Sequence, residues 1–238
     1  MGFTIDQVVP WGRSMDEYRQ MFALTDGDLQ GKIFDCAGGP ASFNAEMTEL
    51  GYDVCSLDPL YAFSKAEIAQ RIDETYETII AQLQANEQDY VWTTFDDPIA
   101  LGHQRRRSME RFLDDLEKGL AAGRYRVGTL PETGFREKQF DLALCSHFLF
   151  LYSEQLSYEF HLAAIEELCR IAHEVRIFPL LAMDCSTSPY VEPIQRHCAK
   201  LGLAATIQDV PYEFQRGGTR MIKVAKLQGG KVAESSAF

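Results

Sequence analysis

The sequence predicts an α/β fold: a three-layer sandwich in which helices cover both faces of a mostly parallel, seven-stranded sheet. Two observations predict it. Short apolar runs, typical of strands buried on both faces, alternate with segments of helical apolar spacing along most of the 238 residues. The last two apolar runs are separated by a turn that contains Gly217 and Gly218, which predicts a hairpin and hence one antiparallel strand in the sheet.

The first quarter of the chain reads as a helix followed by a β-α-β unit. Ser14 is followed three residues later by Glu17, a capping-box pattern that predicts a helix over 14–24. The elements predicted next are a strand at about 32–36, a helix from Ser42 or Phe43 to Leu50, and a strand at 53–57. This strand-helix-strand order is the repeating unit of a parallel sheet.

Roughly 65 residues separate the second strand from the third, and helical patterns at 65–86 and 98–122 fill most of them. A normal crossover is far shorter. The segment leaves the sheet where ligands of such sheets bind, so we expect residues 62–122 to form a helical cap over a pocket. An outer helical layer packed away from the site is the alternative. Three successive arginines at 105–107 are interpreted as a solvated helical face rather than an anion site.

The second half of the chain continues the alternation and closes it with the hairpin. The elements predicted there are strands at 125–128, 139–145 and 175–178, helices at 159–173 and 193–201, and hairpin strands at 205–214 and 221–227. No internal repeat or low-complexity segment divides the chain. We therefore predict one domain over residues 1–238, with a small polar tail at 228–238 that frays.

Composition and charge exclude several classes of function. The net charge is −12, which disfavours nucleic acid partners because a field of that sign repels phosphate. No apolar run approaches the roughly 18 residues of a membrane span, and the first residues lack the features of a secretory signal. We therefore expect a cytoplasmic protein that does not bind membranes. The six cysteines lack zinc-site spacing, so reduced core thiols and no metal site are predicted.

The stretch Asp-Cys-Ala-Gly-Gly-Pro-Ala at 35–41 connects the first predicted strand to the following helix. Its small residues at 37–39 would let the backbone approach a ligand closely. Asp58, at the end of the second strand, is placed to accept hydrogen bonds from the two hydroxyls of a ribose. Together these features point to a nucleotide-like cofactor.

This region and the element order resemble the class I (Rossmann-like) S-adenosylmethionine-dependent methyltransferases. The resemblance rests on the stretch at 35–41, on Asp58, on the Phe-Asp and apolar run at 139–147, and on five β-α units before a terminal hairpin. It covers about residues 9–227 and concerns fold and cofactor rather than substrate. Ala37 and Ala41 replace the first and third glycines of the family's usual pattern. The Asn-Pro-Pro-Tyr type motif of amino-methylating DNA enzymes is absent after the fourth strand.

The resemblance implies S-adenosylmethionine as the cofactor and a set of residues that bind it. They are Arg13, Asp35, Ala37, Gly38, Gly39, Asp58, Pro59, Leu60, Thr129, Leu130 and Ser146. Asp35 and the backbone at Gly38 and Gly39 would hold the methionine part, with its amine near Asp35. Asp58 would bind the ribose. Arg13 would pair with the cofactor carboxylate, and a surface arginine is the alternative for that position.

The same resemblance implies where the adenine and the methyl group would lie. Pro59 or Leu60 would flank one edge of the adenine, and Thr129 and Leu130 the other. Ser146 and its neighbour His147, at the end of the fourth strand, would face the methyl group.

His147 is the candidate catalytic residue. Methyl transfer from a sulfonium needs alignment and exclusion of water, and it needs a base only where the nucleophile carries a proton. An ordinary imidazole pKa of about 6.5 suits proton abstraction at neutral pH. A histidine that caps the strand-to-helix turn by hydrogen bonding is the alternative.

The sequence therefore predicts an S-adenosylmethionine-dependent methyltransferase. The acidic surface and the expected cap favour a small-molecule acceptor. Two alternatives stay open: an NAD(P)-dependent oxidoreductase, which uses a similar loop and ribose-binding acid, and a non-catalytic cofactor-binding module with the same fold.

Overall fold

The computed structural model describes residues 9–226, and the tail predicted at 228–238 lies outside the described residues. The helices are α1 (Met15–Met21), α2 (Asp26–Leu29), α3 (Phe43–Glu49), α4 (Lys65–Ala85), α5 (Pro98–Ala121), α6 (Tyr158–Ile171) and α7 (Val191–Lys200). The strands are β1 (Ile33–Cys36), β2 (Val54–Leu57), β3 (Tyr125–Arg126), β4 (Phe140–Ser146), β5 (Ala172–Phe178), β6 (Leu203–Asp209) and β7 (Arg220–Lys226).

These strands form one sheet in the order β3-β2-β1-β4-β5-β7-β6. The first five strands are parallel to one another, whereas β7 is antiparallel to both β5 and β6. The predicted fold class, including the C-terminal hairpin, is confirmed.

The direction in which strands are added changes between β1 and β4. From β1 the chain moves outward through β2 to β3, and it then returns to the other side of β1 to form β4. Asp35 of β1 lies in register with Ser56 of β2 and Leu144 of β4. The carboxyl ends of these three strands therefore meet at the switch point, where parallel sheets bind ligands.

Helices cover both faces of the sheet. On one face, Leu168 of α6 and Ile194 of α7 share an apolar cluster with Val175 of β5. On the other face, Met21 of α1 and Phe43 of α3 belong to a second cluster that also contains strand residues. Each apolar face of the sheet must be removed from water, and a layer of helices covers each one. The sheet and the two helical layers are the three predicted layers.

The predicted boundaries hold to within a few residues, with two differences. β6 ends at Asp209 rather than at 214. Pro211 lacks a backbone N–H and cannot extend the ladder, so residues 210–219 form an irregular connection. The helix predicted at 159–173 ends at Ile171, because Ala172 has already adopted extended backbone angles and begins β5.

The insertion at 62–122 contacts both the sheet and the connection between the hairpin strands. Ile72 of α4 and Phe112 of α5 form an apolar cluster with Tyr125 of β3. Beyond α4, the backbone N–H of Val91 donates to the carbonyl of Phe214 at 2.8 Å. The segment after α4 is thereby held against the connection of the C-terminal hairpin.

One expectation for the insertion is wrong, because Arg105 is not solvated. Its side chain is completely buried and pairs with Glu17 of α1, whereas Arg107 is exposed as expected. Since an α-helix turns once in about 3.6 residues, Arg105 shares its inward face with Leu101 and Phe112. A counter-charge on a distant helix makes that position acceptable for arginine.

Candidate functional site

Two cavities lie at the carboxyl ends of β1, β2 and β4. The first has a volume of about 630 Å³ and the second about 400 Å³. Ala37, Asp58, Phe148 and Tyr152 line both of them, so the two cavities adjoin. Their sizes fall in the range of about 300–1,000 Å³ that is usual for cofactor and small-molecule sites.

Residues 37–39 form a loop that presents bare backbone to the first cavity. Ala37 and Gly39 adopt left-handed conformations, with φ of +53° and +52°. A Cβ atom at Gly38 would lie 2.3 Å from Oδ2 of Asp35, so only glycine fits there. A Cβ atom at Gly39 would meet no protein atom within 4 Å, because Gly39 borders open cavity. The loop can therefore bring backbone atoms against a ligand.

Asp58 lies between the two cavities and is oriented by the backbone. Its Oδ2 accepts a hydrogen bond from the N–H of Gly39 at 2.9 Å, and its Oδ1 accepts one from the N–H of Leu60 at 2.8 Å. Burial raises the pKa of this carboxyl to about 6, although both hydrogen bonds oppose the shift. Each oxygen keeps a second lone pair, which the hydroxyls of a ribose could use.

Asp35 lies beneath the loop and lines neither cavity. Its buried carboxyl accepts hydrogen bonds from the hydroxyl of Tyr18 at 3.0 Å and from the hydroxyl of Ser56 at 2.8 Å. Burial raises the pKa of Asp35 to about 7. In this position the carboxyl lies close to Gly38. The contact of Asp35 with a cofactor amine stays a prediction.

The second cavity brings together three of the four residues that we expect around an adenine. Pro59, Thr129 and Leu130 line it, while Leu60 lines the first cavity instead. Leu57 and Leu156 add further apolar surface to the second cavity. An apolar slot with a few polar groups suits a flat heterocycle.

Ser146 and His147 lie at the end of β4, on the wall of the first cavity. His147 has a φ of +50°, which is uncommon for a residue with a side chain. Its Nδ1 lies 2.9 Å from Oγ of Ser146, whereas Nε2 has no hydrogen-bond partner within residues 9–226. Burial, and then the charges of Arg13 and Arg105, lower the pKa of the imidazole well below its usual value. The ring is therefore neutral at neutral pH.

Two arginines and one glutamate form a buried charge cluster beside the first cavity. Glu17 accepts hydrogen bonds from Arg105 and from the hydroxyl of Tyr212, the latter at 3.0 Å. Arg13 lines the cavity, and its buried Nε has no hydrogen-bond partner in the described part of the chain. Burial, together with the charge of Arg105, lowers the pKa of Arg13. Glu17 pairs with Arg105, and no carboxylate forms an ion pair with Arg13 among residues 9–226, so this end of the cavity is positively charged.

Aromatic and aliphatic side chains from distant segments complete the first cavity. Ile79 and Leu83 belong to α4, Tyr90 follows that helix, and Phe214 belongs to the hairpin connection. The rings of Tyr90 and Phe214 stack with their centroids 4.7 Å apart. We define the outer wall as Trp11, Ile79, Leu83, Tyr90, Met183 and Phe214.

The outer wall and the pairing of Glu17 with Arg105 are not apparent from the sequence. Glu17 is recognisable only as a capping residue, and it has that role as well, since it accepts a hydrogen bond from the N–H of Ser14 at 3.1 Å. One signal for Arg105 is present in the sequence: it occupies the same helical face as Leu101 and Phe112. That spacing favours burial over solvation, even for a charged residue.

Among residues 9–226, no group of three or more His, Cys, Asp or Glu is arranged to hold a metal ion. None of the helices in the same range combines the length and the apolar character that crossing a lipid bilayer requires.

The raised pKa values predict that cofactor binding depends on pH. Without a ligand, Asp58 titrates near pH 6 and Asp35 near pH 7. A ligand that donates hydrogen bonds to these carboxyls, or brings positive charge near them, favours their ionised forms. We expect the affinity for S-adenosylmethionine to fall as the pH decreases from about 8 to about 5, with protons released on binding. Calorimetry in two buffers of different ionisation enthalpy measures both quantities.

The stability of the ligand-free protein should change in the opposite direction. Both carboxyls have a higher pKa in the folded chain than in the unfolded chain. Their contribution to stability is therefore fully present below about pH 4 and is lost as the pH rises through 6 and 7. In urea unfolding, Asp35→Asn should remove the loss near pH 7, whereas the exposed Asp26→Asn should leave the profile unchanged. An unaltered profile in Asp35→Asn would contradict the assignment.

Comparison with known proteins gives one relative and several weak structural similarities. No protein-family model matches the chain. The uncharacterized protein MJ0045 of Methanocaldococcus jannaschii is 32% identical over 216 residues, which cover 90% of this chain and 95% of that protein. Identity at this level over nearly the whole of both chains indicates common descent.

Among solved structures, magnesium protoporphyrin IX methyltransferase from Synechocystis PCC 6803 with bound SAM has a TM-score of 0.49 and 13% identity, covering 90% of this chain and 78% of that chain. An O-methyltransferase from neocarzinostatin biosynthesis, in complex with S-adenosylhomocysteine and 1,4-dihydroxy-2-naphthoic acid, has a TM-score of 0.44 and 14% identity. The match covers 89% of this chain and 54% of that chain. With TM-scores below 0.5, these similarities carry no argument about activity.

Proposed function

We propose that this chain, which belongs to the family of the uncharacterized protein MJ0045 of Methanocaldococcus jannaschii, is an S-adenosylmethionine-dependent methyltransferase that acts on a small molecule. The observation that carries the proposal is the hydrogen bond between Asp58 and Gly39, which joins a ribose-binding acid to a bare backbone loop at the switch point of the sheet. Cavities of cofactor and substrate size adjoin this pair.

The residues present fit the parts of S-adenosylmethionine. Asp58 would accept hydrogen bonds from the ribose, and the second cavity, with Pro59 and Leu130 on its walls, would take the adenine. The loop at 37–39 would lie along the methionine part, where side chains would obstruct it. Arg13 has an unpartnered buried Nε and would bind the carboxylate. When bound, the cofactor supplies a methyl group activated by a positively charged sulfur.

We assign His147 to the acceptor. Its imidazole lines the same cavity as the loop at 37–39, and its Nε2 has no hydrogen-bond partner among the described residues. A neutral ring in that place can orient a nucleophile and accept its proton. The remaining contribution of the protein is alignment and exclusion of water, because the methyl group is already activated.

The side walls of the first cavity support a small acceptor. Ile79 and Leu83 bring α4 onto its wall, and the hydrogen bond from Val91 to Phe214 holds the following segment against the hairpin connection. We therefore infer that residues 62–122 form a cap within a single domain. The net charge of −12 argues against a nucleic acid partner, and we expect a cytoplasmic location.

Calorimetry and thermal unfolding test the proposed function. S-adenosylmethionine and S-adenosylhomocysteine should both bind, and a ligand at a hundredfold excess over its Kd should stabilise the protein by about 2.7 kcal/mol. NADH is the matched comparison, because dinucleotide enzymes use a similar loop and ribose-binding acid. Stabilisation by NADH alone would overturn the proposal. Transfer of label from methyl-labelled S-adenosylmethionine to a small molecule of a cell extract distinguishes an enzyme from a non-catalytic binding module.

A further inference from the structure

We propose that the methyl acceptor is a hydrophobic weak acid, with a flat apolar body and one ionisable oxygen, such as a phenol, an enol or a carboxylic acid. This inference rests on the proposed function and names its substrate class. It follows from the placement of the outer wall and of a positively charged end in the same cavity.

The outer wall favours an acceptor with an apolar body. Tyr90 and Phe214 stack on each other, and Trp92 packs edge-on against Phe214 with centroids 5.6 Å apart, so further rings back the wall. Met183 lies on the wall and is 60% exposed, which extends the apolar surface outward. A ligand body with polar groups against these side chains would lose hydrogen bonds to water and gain few from the outer wall.

The charged groups of the cavity disfavour a cationic acceptor. Arg13 and Asp58 are the two charged side chains that line the first cavity within residues 9–226. The remaining lone pairs of Asp58 are assigned to the cofactor ribose, whereas Arg13 has an unpartnered Nε. An ammonium group in this cavity would find no free carboxylate and would face Arg13, with the buried Arg105 close to it.

Cofactor binding preserves this preference. A cofactor carboxylate at Arg13 would cancel one guanidinium charge, but the same cofactor molecule carries an ammonium and a sulfonium. The positive charge next to the acceptor is therefore maintained when the cofactor is present. An anionic oxygen is stabilised there, and the proton of a weakly acidic hydroxyl is correspondingly easier to remove.

His147 restricts the nucleophile further. An imidazole that burial and two nearby arginines keep neutral is a weak base, so it cannot ionise the hydroxyl of an ordinary alcohol. A phenol, an enol or a carboxylic acid loses its proton readily. In the transfer, the acceptor oxygen forms a bond to the methyl carbon while the carbon–sulfur bond breaks and its electron pair stays on sulfur. The proton of the acceptor goes to solvent or to Nε2 of His147.

Four biphenyl compounds that share one apolar body test the inference: 4-phenylphenol, biphenyl-4-carboxylic acid, biphenyl-4-ylmethanol and biphenyl-4-ylmethylamine. The protein is first saturated with sinefungin, an unreactive analogue of S-adenosylmethionine in which a protonated amine replaces the sulfonium, and the binding of sinefungin itself is measured separately. Failure at that step counts against the proposed function and is thus distinguishable from failure of the inference. Calorimetry should then show the phenol or the carboxylic acid binding at least about tenfold more tightly than the alcohol and the amine.

With methyl-labelled S-adenosylmethionine, label should appear in the phenol or the acid and not in the alcohol or the amine. The inference is overturned if the amine or the alcohol binds as tightly as the phenol and the acid. It is equally overturned if none of the four compounds binds to the sinefungin complex.

A second test introduces a positive or a negative charge at one exposed position by substitution, which does not disturb the core. Gln82 lines the first cavity from the exposed surface of α4, whereas Gln84 is exposed on the same helix and does not line it. Gln82→Lys should raise the affinity for biphenyl-4-carboxylic acid about threefold, and Gln82→Glu should lower it by a similar factor. The same substitutions at Gln84 should have no effect. The inference fails if the response at Gln82 has the opposite sign or is equalled at Gln84.

Discussion

Gly39→Ala should weaken the binding of S-adenosylhomocysteine at least about a hundredfold, which corresponds to about 2.8 kcal/mol, while the protein stays folded. The added Cβ would meet no protein atom within 4 Å, because Gly39 borders open cavity. The methyl group would therefore occupy space that the ligand needs. The left-handed φ of +52° should cost the fold about 1–2 kcal/mol. Calorimetry measures the first effect and urea unfolding the second.

Gly51→Ala is the matched control for that substitution. Gly51 follows α3, has a φ of +83°, and would also place a Cβ with no protein atom within 4 Å, but it lines neither cavity. It should lose a similar amount of stability and no affinity. Equal loss of affinity in both variants would show that backbone strain, not cavity space, controls binding. Full affinity in Gly39→Ala would contradict the placement of the ligand against the loop.

The positions of most residues proposed to bind the cofactor are predictable from the sequence because these residues follow the ends of strands. The small residues at 37–39, Asp58 and Thr129 follow β1, β2 and β3 in turn. A parallel sheet brings those ends together whatever the rest of the chain does. Local order does not specify side-chain direction, however. Asp35 shows this, because its carboxyl lies beneath Gly38 and not on a cavity wall.

The acceptor side could not be predicted, because it depends on contacts between segments far apart in the chain. Ile79, Tyr90 and Phe214 are brought together where the hairpin connection contacts the segment that follows α4. The burial of Arg105 has the same cause, since its counter-charge lies on α1. Apolar spacing indicates which face of a helix is buried, but it does not identify the segment that this face meets.

Glu17→Gln should destabilise the fold by about 3–5 kcal/mol, the largest stability effect that we expect from one substitution. Glu17 and Arg105 are both buried, and Arg13 lies in the same cluster. Without the carboxylate, two guanidinium groups lose their counter-charge. Burial alone would raise the pKa of Glu17, but the two arginines hold it below its usual value. Its stabilisation is therefore present at neutral pH and is lost as the pH falls through that lowered pKa. Urea unfolding measures both effects.

Two further variants separate the charge from the packing. The double variant Glu17→Gln/Arg105→Met should recover part of the loss, because it removes one of the two uncompensated charges and keeps an apolar side chain in α5. Glu192→Gln removes one partner of an exposed pair with Arg196 and should change stability by less than about 0.5 kcal/mol. If Glu17→Gln costs no more than Glu192→Gln, the buried cluster does not depend on its charge balance. If it costs the expected amount, Glu17 is required to keep Arg105 buried next to the cavity.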